Sequence, residues 1–342
     1  MESHKKIANQ IFSFVEKKDV EVIINFQDSS LTRFADNVIS QNVSNKSTEI
    51  SIKITDEKKL AKVSLNQDSE KEIENAVKNA LTILKMQKPS EEILKPVKIC
   101  NIPESAQLFF EKTAEFSPSD RAKKITDLVK KCKALKQIAY GTLENGRSQT
   151  TVANTNGVFL THQETSATFS VTVKDGNGFG WAEQTENNIE KINFDEVKAT
   201  AINKARLAKN PKEIKPSRYD VILEPGAVAE IISFMNIYGF GGRFFLEGQS
   251  FISGKIGEKV LSEKITIEDN AISGPSAGMP FDFEGMPKTK VVLIENGTAR
   301  GVVHDRKTAK KANTVSTGHS LPQPNVYGPV PLNVVLKKGN TP

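Results

Sequence analysis

Residues 20–65 read VEVIINFQDSSLTRFADNVISQNVSNKSTEISIKITDEKKLAKVSL, and this stretch decides the fold class. Apolar and polar residues alternate from its first residues onward, with the period of a half-buried strand. Four further strand-like runs follow at 32–37, 38–43, 49–55 and 60–65. Polar turns are expected at 45–47 and 56–58. The pattern predicts an antiparallel meander.

Amphipathic helices flank this meander. Apolar residues recur at helical spacing over 5–17. After the meander, Ser69 and Glu72 form a capping box, and one apolar face then continues for three turns. The first domain is therefore predicted to be an α+β unit of residues 1–98, which ends in a proline-containing linker.

The middle of the chain repeats this composition of helices and strands. Ser117 is a predicted N-cap with Pro118 at the first helical position. Turn residues at 144–146, 154–157 and 175–178 predict a second antiparallel sheet, and a helix is expected over 195–210. The second domain is predicted to span residues 104–215.

The third segment, residues 216–342, starts with a predicted strand over 219–223. A helix follows from Pro225 to the glycines at 239–242. Its expected buried side consists of Val228, Ile231, Ile232 and Met235. Short apolar alternations and many glycines then predict a β-rich, mostly antiparallel domain. The fold class is α+β: two layered α/β units followed by this β-rich domain.

Composition excludes several classes of protein. Among 342 residues, no apolar run approaches the ~20 residues of a membrane-spanning helix. The first residues lack the apolar core of a signal peptide, so the cytoplasm is the expected location. Two cysteines supply neither a disulfide framework nor a four-thiolate zinc site. The four histidines are far apart in the sequence, so a histidine metal site would need distant segments.

The net charge of +6 is concentrated in the middle of the chain. On the predicted helix after Ser117, the residues outside the apolar stripe are basic: Arg121, Lys123, Lys124, Lys130, Lys131, Lys133 and Lys136. A solvated helix face explains this pattern better than nucleic-acid binding, because no aromatic or glycine-rich motif accompanies it. A nucleic-acid-associated or gyrase-associated binding module stays open as an alternative function.

The sequence Gly274-Pro275-Ser276-Ala277-Gly278 satisfies the pattern of a serine hydrolase nucleophile turn. Asp282 or Asp305, followed by His319, would complete a triad in chain order. However, Pro280 would interrupt the helix that such a turn requires, so a loop is the favoured interpretation. An independent peptidase with a site at His304, Asp305 and His319 is the other enzymatic alternative.

Ordered motifs in the last third of the chain carry a family resemblance. The stretches are 250–260, 265–269, 281–287, 293–297, 308–309 and 316–319. Together with Thr32-Arg33-Phe34-Ala35-Asp36-Asn37 and 39–42 near the N-terminus, they resemble the TldD/PmbA family. The resemblance covers nearly the whole chain.

This resemblance implies a cytoplasmic zinc metallopeptidase system of two related subunits, one of which is also described as a modulator of DNA gyrase. The zinc-bearing TldD-type subunit has His-Glu-x-x-x-His on the helix after a Gly-Pro-Gly-like turn. When that turn is aligned with Glu224-Pro225-Gly226, Ser233, Phe234 and Tyr238 occupy the motif positions. The chain therefore resembles the PmbA/TldE-type subunit, with no catalytic residues, no metal and no cofactor of its own.

The resemblance also sets expectations for partners. They are a TldD-like paralogue that carries the zinc, or a second copy of this chain, and a peptide substrate; neither membrane nor nucleic acid is expected. Candidate groove or partner contacts are His304, Asp305, Thr317, Gly318 and His319. Family members continue beyond the position of 334–336, so the resemblance implies an incomplete third domain.

Overall fold

A computed structural model describes residues 2–339. Met1, the first residue of the first predicted domain, and residues 340–342, the last of the third, lie outside this range. The helices are α1 (Glu2–Ser13), α2 (Glu70–Met86), α3 (Glu111–Ala114), α4 (Pro118–Ala134), α5 (Phe194–Leu207), α6 (Pro225–Tyr238), α7 (Gly242–Leu246) and α8 (Arg306–Lys311). The strands are β1 (Asp19–Ala35), β2 (Val38–Asp56), β3 (Lys59–Leu65), β4 (Ile138–Asn154), β5 (Phe159–Asp175), β6 (Gly178–Glu186), β7 (Ile267–Asp269), β8 (Val291–Glu295), β9 (Thr298–Ala299) and β10 (Val334–Leu336). The predicted α+β class is confirmed.

The first two segments build one antiparallel sheet in the order β3-β2-β1-β4-β5-β6. The pairing of β1 with β4 joins them, from Glu21 opposite Asn154 to Phe34 opposite Gly141. The prediction of a second, separate sheet in the middle segment is therefore wrong. Its strands extend the first sheet because β1 leaves its second edge free for pairing.

Two of the predicted turns lie inside long strands. Residues 45–47 belong to β2, which pairs with β1 without a break there, and residues 144–146 belong to β4. Gly146 serves close packing between strands rather than a turn, since a Cβ there would lie 2.7 Å from the Asp28 carbonyl oxygen. The first hairpin turns instead at Asp36 and Asn37, which both have positive φ.

Helices cover one face of this sheet. Val20, Val22 and Ile24 of β1 pack with α1 and α2, while Phe34 and the middle strands pack with α4 and α5. The predicted caps explain where two of these helices begin, because the side chains of Ser69 and Ser117 accept backbone N–H bonds at α2 and α4. The two halves of the sheet thus have separate hydrophobic cores on the same face.

The opposite face receives a loop of the third segment. Phe281 of that loop packs on Ile23 and Val152, and all three side chains are buried. In the third segment, α7 follows α6 along the chain, α8 follows β9, and the strands form a second sheet in the order β10-β7-β8-β9. The loop around Phe281, residues 281–287, is called the docking loop because it fixes the third segment against the large sheet.

The beginning of the third segment differs from expectation. Residues 219–223 form no strand, because no described segment pairs with them, and Ile222 is 99% exposed. Helix α6 buries none of its residues, although Ile232 and Met235 are partly buried against the core of the third segment. Ile231, a member of the expected buried side, is 51% exposed. The predicted packing side is therefore confirmed for Ile232 and Met235, which contact this core, and wrong for Ile231.

The basic helix α4 contains one buried cation. Arg121, assigned by its sequence position to the charged face, is fully buried. Its guanidinium donates to Thr32 Oγ1 at 2.8 Å, to the Phe116 carbonyl at 2.9 Å, to Asn145 Oδ1 at 2.6 Å and to Asn42 Oδ1 at 3.0 Å. Burial lowers the pKa of Arg121. This side chain ties α4 to three strands of the sheet.

We expect Arg121→Met to lower the free energy of unfolding by about 2 kcal/mol. The substitution leaves the Asn145 side-chain oxygen and the Phe116 carbonyl buried without their donors, while it also removes the cost of burying a charge. Urea unfolding followed by circular dichroism measures the change. Lys130→Met, at an exposed position of the same helix, is the matched control and should alter stability by less than ~0.5 kcal/mol. An equal effect of both variants would contradict the role of Arg121.

Within residues 2–339, no helix has both the length and the apolar character needed to cross a bilayer.

Candidate functional site: a buried carboxylate–histidine network

Helix α6 carries the positions that the zinc motif would occupy. Its N-terminus is held by an ion pair between Glu224 and Lys204 of α5. Ser233 donates its hydroxyl to the Glu230 carbonyl at 2.7 Å, and Phe234 is 65% exposed. The ring of Tyr238 contacts Phe244 edge-on at 5.2 Å. These three side chains offer one hydroxyl, one phenyl ring and one phenol, so they do not fit the imidazole and carboxylate chemistry of a zinc peptidase site.

The candidate contact residues of the third segment come together below the surface. His319 is 2% exposed, and its Nε2 lies 2.9 Å from Asp269 Oδ1. Its Nδ1 lies 2.9 Å from Thr317 Oγ1. The same threonine hydroxyl accepts the backbone N–H of His304 at 2.7 Å. Both ring nitrogens of His319 are thus engaged by side chains of the protein.

Asp305 has a local structural function in this cluster. It is the N-cap of α8, where its carboxylate accepts from the Thr308 backbone N–H and the Thr308 hydroxyl, both at 2.7 Å. The Thr308 hydroxyl also lies 3.2 Å from His304 Nδ1. Burial lowers the pKa of His304, so its neutral form is favoured. The cluster therefore connects the start of α8 to the turn that carries His319.

Gly318 makes this turn possible. Its φ is +73°, and a Cβ at this position would lie 2.1 Å from the Pro287 carbonyl oxygen. Only glycine combines this backbone conformation with such a close approach. The contact continues through Thr289, whose backbone N–H donates to the Thr317 carbonyl at 3.0 Å. The turn at 316–319 thus packs closely against residues 287–289, at the end of the docking loop.

Asp269 is the centre of the network. Besides its bond with His319, it accepts the backbone N–H of Asn333 at 2.7 Å through Oδ2. Burial of Asp269 opposes ionisation, but the hydrogen bond and charge of His319 and the Asn333 N–H together lower its pKa. Asp269 is fully buried, so its carboxylate bridges two segments that are distant in sequence.

Lys288 is a buried basic residue beside these carboxylates. Lys288 is 6% exposed and donates to Asn333 Oδ1 at 2.9 Å. Burial lowers its pKa, while the carboxylates of Asp269, Asp282 and Glu164 act in the opposite direction. Glu164 belongs to β5, so the network extends from the third segment to the face of the large sheet.

Two more carboxyl groups lie in the docking loop. Asp282 accepts three backbone N–H groups, from Glu284, Met286 and Ser320, each at 2.9 Å. Burial nevertheless raises the pKa of Asp282. For Glu284, burial and then the neighbouring Asp282 charge raise the pKa to about 7. Glu284 Oε2 is buried and has no hydrogen-bond partner among the described residues.

The serine of the hydrolase alternative lies outside this arrangement. Ser276 donates to the Asn333 carbonyl at 2.7 Å, whereas His319 pairs with Asp269 and Thr317. Residues 274–278 form a loop, as the favoured interpretation predicted, and residues 279–290 directly after it contain no helix. A nucleophile, base and acid are therefore not assembled around Ser276.

Sequence reasoning missed Asp269, Glu284 and Lys288 as members of the site. All three lie within or beside the ordered motifs, but their neighbours in the sequence differ: Glu284 lies between Phe283 and Gly285, Asp269 between Glu268 and Asn270, and Lys288 between Pro287 and Thr289. No shared pattern in the sequence therefore marked them as members of one site. Among the described residues, both ring nitrogens of His319 have side-chain partners, so the network connects His319 to Asp269 and Thr317 within the protein.

Comparison with known proteins identifies the family. The PmbA/TldA metallopeptidase central domain matches residues 109–209, and the C-terminal domain of the same family matches residues 216–342. The chain belongs to the PmbA/TldD family. This confirms the resemblance drawn from the ordered motifs.

Solved structures share the fold of this PmbA/TldD family member. TldE from Thermococcus kodakarensis superposes with a TM-score of 0.84 at 21% identity, over 99% of this chain and 78% of that one. A Thermotoga maritima protein described as a modulator of a DNA gyrase gives a TM-score of 0.85 at 19% identity, over 98% of this chain and 78% of that one. These likenesses show the fold.

Curated relatives are similar over part of their length. An uncharacterized protein of Methanocaldococcus jannaschii is 27% identical over 54% of this chain and 44% of its own length. A metalloprotease TldD homolog of Buchnera aphidicola is 27% identical over 52% of this chain and 40% of its own. The chain thus spans less than half the length of these relatives.

Proposed function

We propose that this chain is the non-catalytic, TldE/PmbA-like subunit of a two-subunit zinc peptidase that degrades peptides or unfolded proteins in the cytoplasm. In this hypothesis it docks a TldD-like paralogue, which carries the zinc, and helps to shape the peptide groove. The observation that carries the proposal is the chemistry of α6. Ser233, Phe234 and Tyr238 stand where the family resemblance places two zinc-binding imidazoles and a catalytic carboxylate.

Physical chemistry supports a role without catalysis. A zinc peptidase needs a carboxylate or another base to activate the metal-bound water, and Phe234 supplies none. His319 does not replace it, because its side chain is 2% exposed and so lies out of reach of a bound peptide. The catalytic groups of the proposed peptidase would therefore come from the other subunit.

The surface of α6 supports a role in assembly. Ile231, Phe234 and Tyr238 are each at least half exposed, and they follow the exposed apolar residues of 219–223. Contiguous exposed apolar side chains are typical of surfaces that contact another protein. In the proposed complex, this part of the chain contacts the zinc subunit.

Metal analysis and a cleavage assay test this function together. We expect the purified chain to contain far less than one zinc per molecule and to leave an unfolded peptide uncut. Addition of the zinc-bearing paralogue should give cleavage that a chelator abolishes. The paralogue alone is the control for activity without this subunit, and it should be at least ~10-fold slower than the mixture. Stoichiometric zinc together with cleavage by the isolated chain would contradict the proposal.

A further inference from the structure

Lys288 is a buried lysine whose direct side-chain partner is a neutral group. Its side chain is 6% exposed, and Nζ donates to Asn333 Oδ1 at 2.9 Å. Among residues 2–339, no carboxylate forms an ion pair with this nitrogen; the nearby Asp269 pairs with His319 instead. A buried ammonium group is costly unless a carboxylate pairs with it. A reaction that removes this charge is therefore favoured.

Asn333 is held in a single orientation by its hydrogen bonds. Its Nδ2 donates to the Ser276 carbonyl at 2.8 Å, while its Oδ1 accepts from Lys288. The opposite orientation of the carboxamide would lose both bonds, because an ammonium group only donates and a carbonyl only accepts. The backbone N–H of Asn333 donates to Asp269 Oδ2 at 2.7 Å, and its carbonyl accepts the Asn270 N–H at 2.9 Å. The carboxamide is thus fixed relative to the lysine.

This arrangement places an amine beside a carbonyl carbon. Asn333 Oδ1 is bonded to the carboxamide carbon Cγ, and Lys288 Nζ is the group that contacts this oxygen. Reacting groups that a fold holds at ~3–3.5 Å reach effective molarities of ~10⁵–10⁸ M. Burial, the largest influence on the pKa of Lys288, lowers it, so the neutral and nucleophilic amine is more populated than in an exposed lysine.

We propose that Lys288 and Asn333 form an intramolecular amide cross-link in the folded chain. The bond between Lys288 Nζ and Asn333 Cγ forms, and the bond between Cγ and Nδ2 breaks. The lysine ammonium loses two protons and the departing nitrogen takes up two, so the products are the cross-link and one ammonium ion. The reaction needs no oxidant, reductant or cofactor.

The surroundings of the pair suit proton transfer and release of the leaving group. Of the nearby carboxylates, Asp269 acts most strongly on the charge of Lys288, and it also binds the Asn333 backbone. It is therefore the group that accepts a proton from the lysine and returns it to Nδ2. Leu332, the neighbour of Asn333, is 55% exposed, so the ammonium ion has a short path to solvent. Its dilution there makes the reaction irreversible.

The cross-link joins two parts of the third segment that lie 45 positions apart in the sequence. Lys288 directly follows the docking loop, and Asn333 directly precedes β10. Closing this loop covalently lowers the conformational entropy of the unfolded chain, as a disulfide does, but an amide resists reduction. The inference is independent of the proposed peptidase function, since it needs neither zinc nor a paralogue.

Mass spectrometry of the denatured full chain tests the cross-link. We expect a mass about 17 Da below that calculated from the sequence, because ammonia is lost. Trypsin does not cleave after a lysine whose amine is acylated, so the digest should contain residues 265–290 joined to residues 312–337 as one branched peptide. A wild-type chain with the full calculated mass and two separate peptides would overturn the proposal.

Two lysine variants locate the loss of ammonia. Lys288→Arg keeps a cationic donor but lacks the amine, so it should have its full calculated mass. Lys290→Arg, at an exposed position two residues away, is the matched control and should still show the loss. A loss that persists in Lys288→Arg would place the reaction elsewhere, as in a cyclised Asn296-Gly297, and would overturn the proposal. If Lys288→Arg does not fold, the presence or absence of the branched wild-type peptide decides.

Discussion

Asp269→Ala should lower the free energy of unfolding by about 4 kcal/mol, because two buried donors lose their acceptor and each unsatisfied donor costs about 1–3 kcal/mol. The variant leaves His319 Nε2 and the Asn333 backbone N–H without their acceptor in a fully buried site. It also removes a carboxylate that favours the charged form of the buried Lys288. Urea unfolding at neutral pH measures the loss.

The acid dependence of this variant provides a second measurement. The folded-state pKa of Asp269 is lowered, so its contribution is present above the unfolded-state pKa of ~4 and is lost as the pH falls through the folded-state pKa. The difference between wild type and Asp269→Ala should therefore shrink in acid. Asp220→Ala, at an exposed position, is the matched control. A loss below ~1 kcal/mol at neutral pH would show that the network contributes little to stability.

Between pH 5 and pH 8, the free energy of unfolding of Glu284→Gln should rise by about 3 kcal/mol relative to that of wild type. The folded-state pKa of Glu284 is about 7, well above the value of 4.5 for a free glutamate side chain. A raised pKa means that the contribution of the carboxyl group is present below ~4.5 and is lost as the pH rises through about 7. Glutamine stays neutral throughout, so the variant should gain stability relative to wild type as the pH rises.

The surroundings of Glu284 explain why this effect belongs to the docking of the third segment. Asp282 lies beside it in the loop, and Arg306 Nη1 is 3.9 Å from its Oε1. The ion pair of Glu21 and Lys53 faces it from the large sheet. Thermal melts of both proteins from pH 5 to pH 8 measure the difference.

Glu263→Gln, which alters an exposed carboxylate, is the control for Glu284→Gln and should follow the wild-type profile. Parallel pH profiles of wild type and Glu284→Gln would contradict a raised pKa at this site.

The features that follow from local sequence were predictable. Ser69 and Ser117 mark the starts of α2 and α4 because an N-cap acts on backbone groups within three residues. Gly239 likewise ends α6, where a Cβ would lie 2.7 Å from the Met235 carbonyl oxygen. The loop at Ser276 was predictable because Pro280 prevents a helix.

The features that depend on distant pairing were not predictable from one sequence. The alternation of β4 shows that it is a strand, but it does not show that β1 is its neighbour. In the same way, nothing near His319 indicates that Asp269 binds it across 50 positions of the chain. The assignment of Arg121 to the charged face of its helix was also wrong. Its side chain is buried because acceptors on three different strands bind the guanidinium.

The pairing of β1 with β4 has a consequence for synthesis on the ribosome. The residues of β4 emerge more than a hundred positions after those of β1 that they pair with. At a synthesis rate of ~5–20 residues per second, on the order of ten seconds pass between the synthesis of β1 and that of β4. During that interval β1 pairs with β2 on one side and presents one long open edge on the other, a surface that chaperones can protect. The N-terminal half of the chain therefore completes its folding only after β4 has left the exit tunnel.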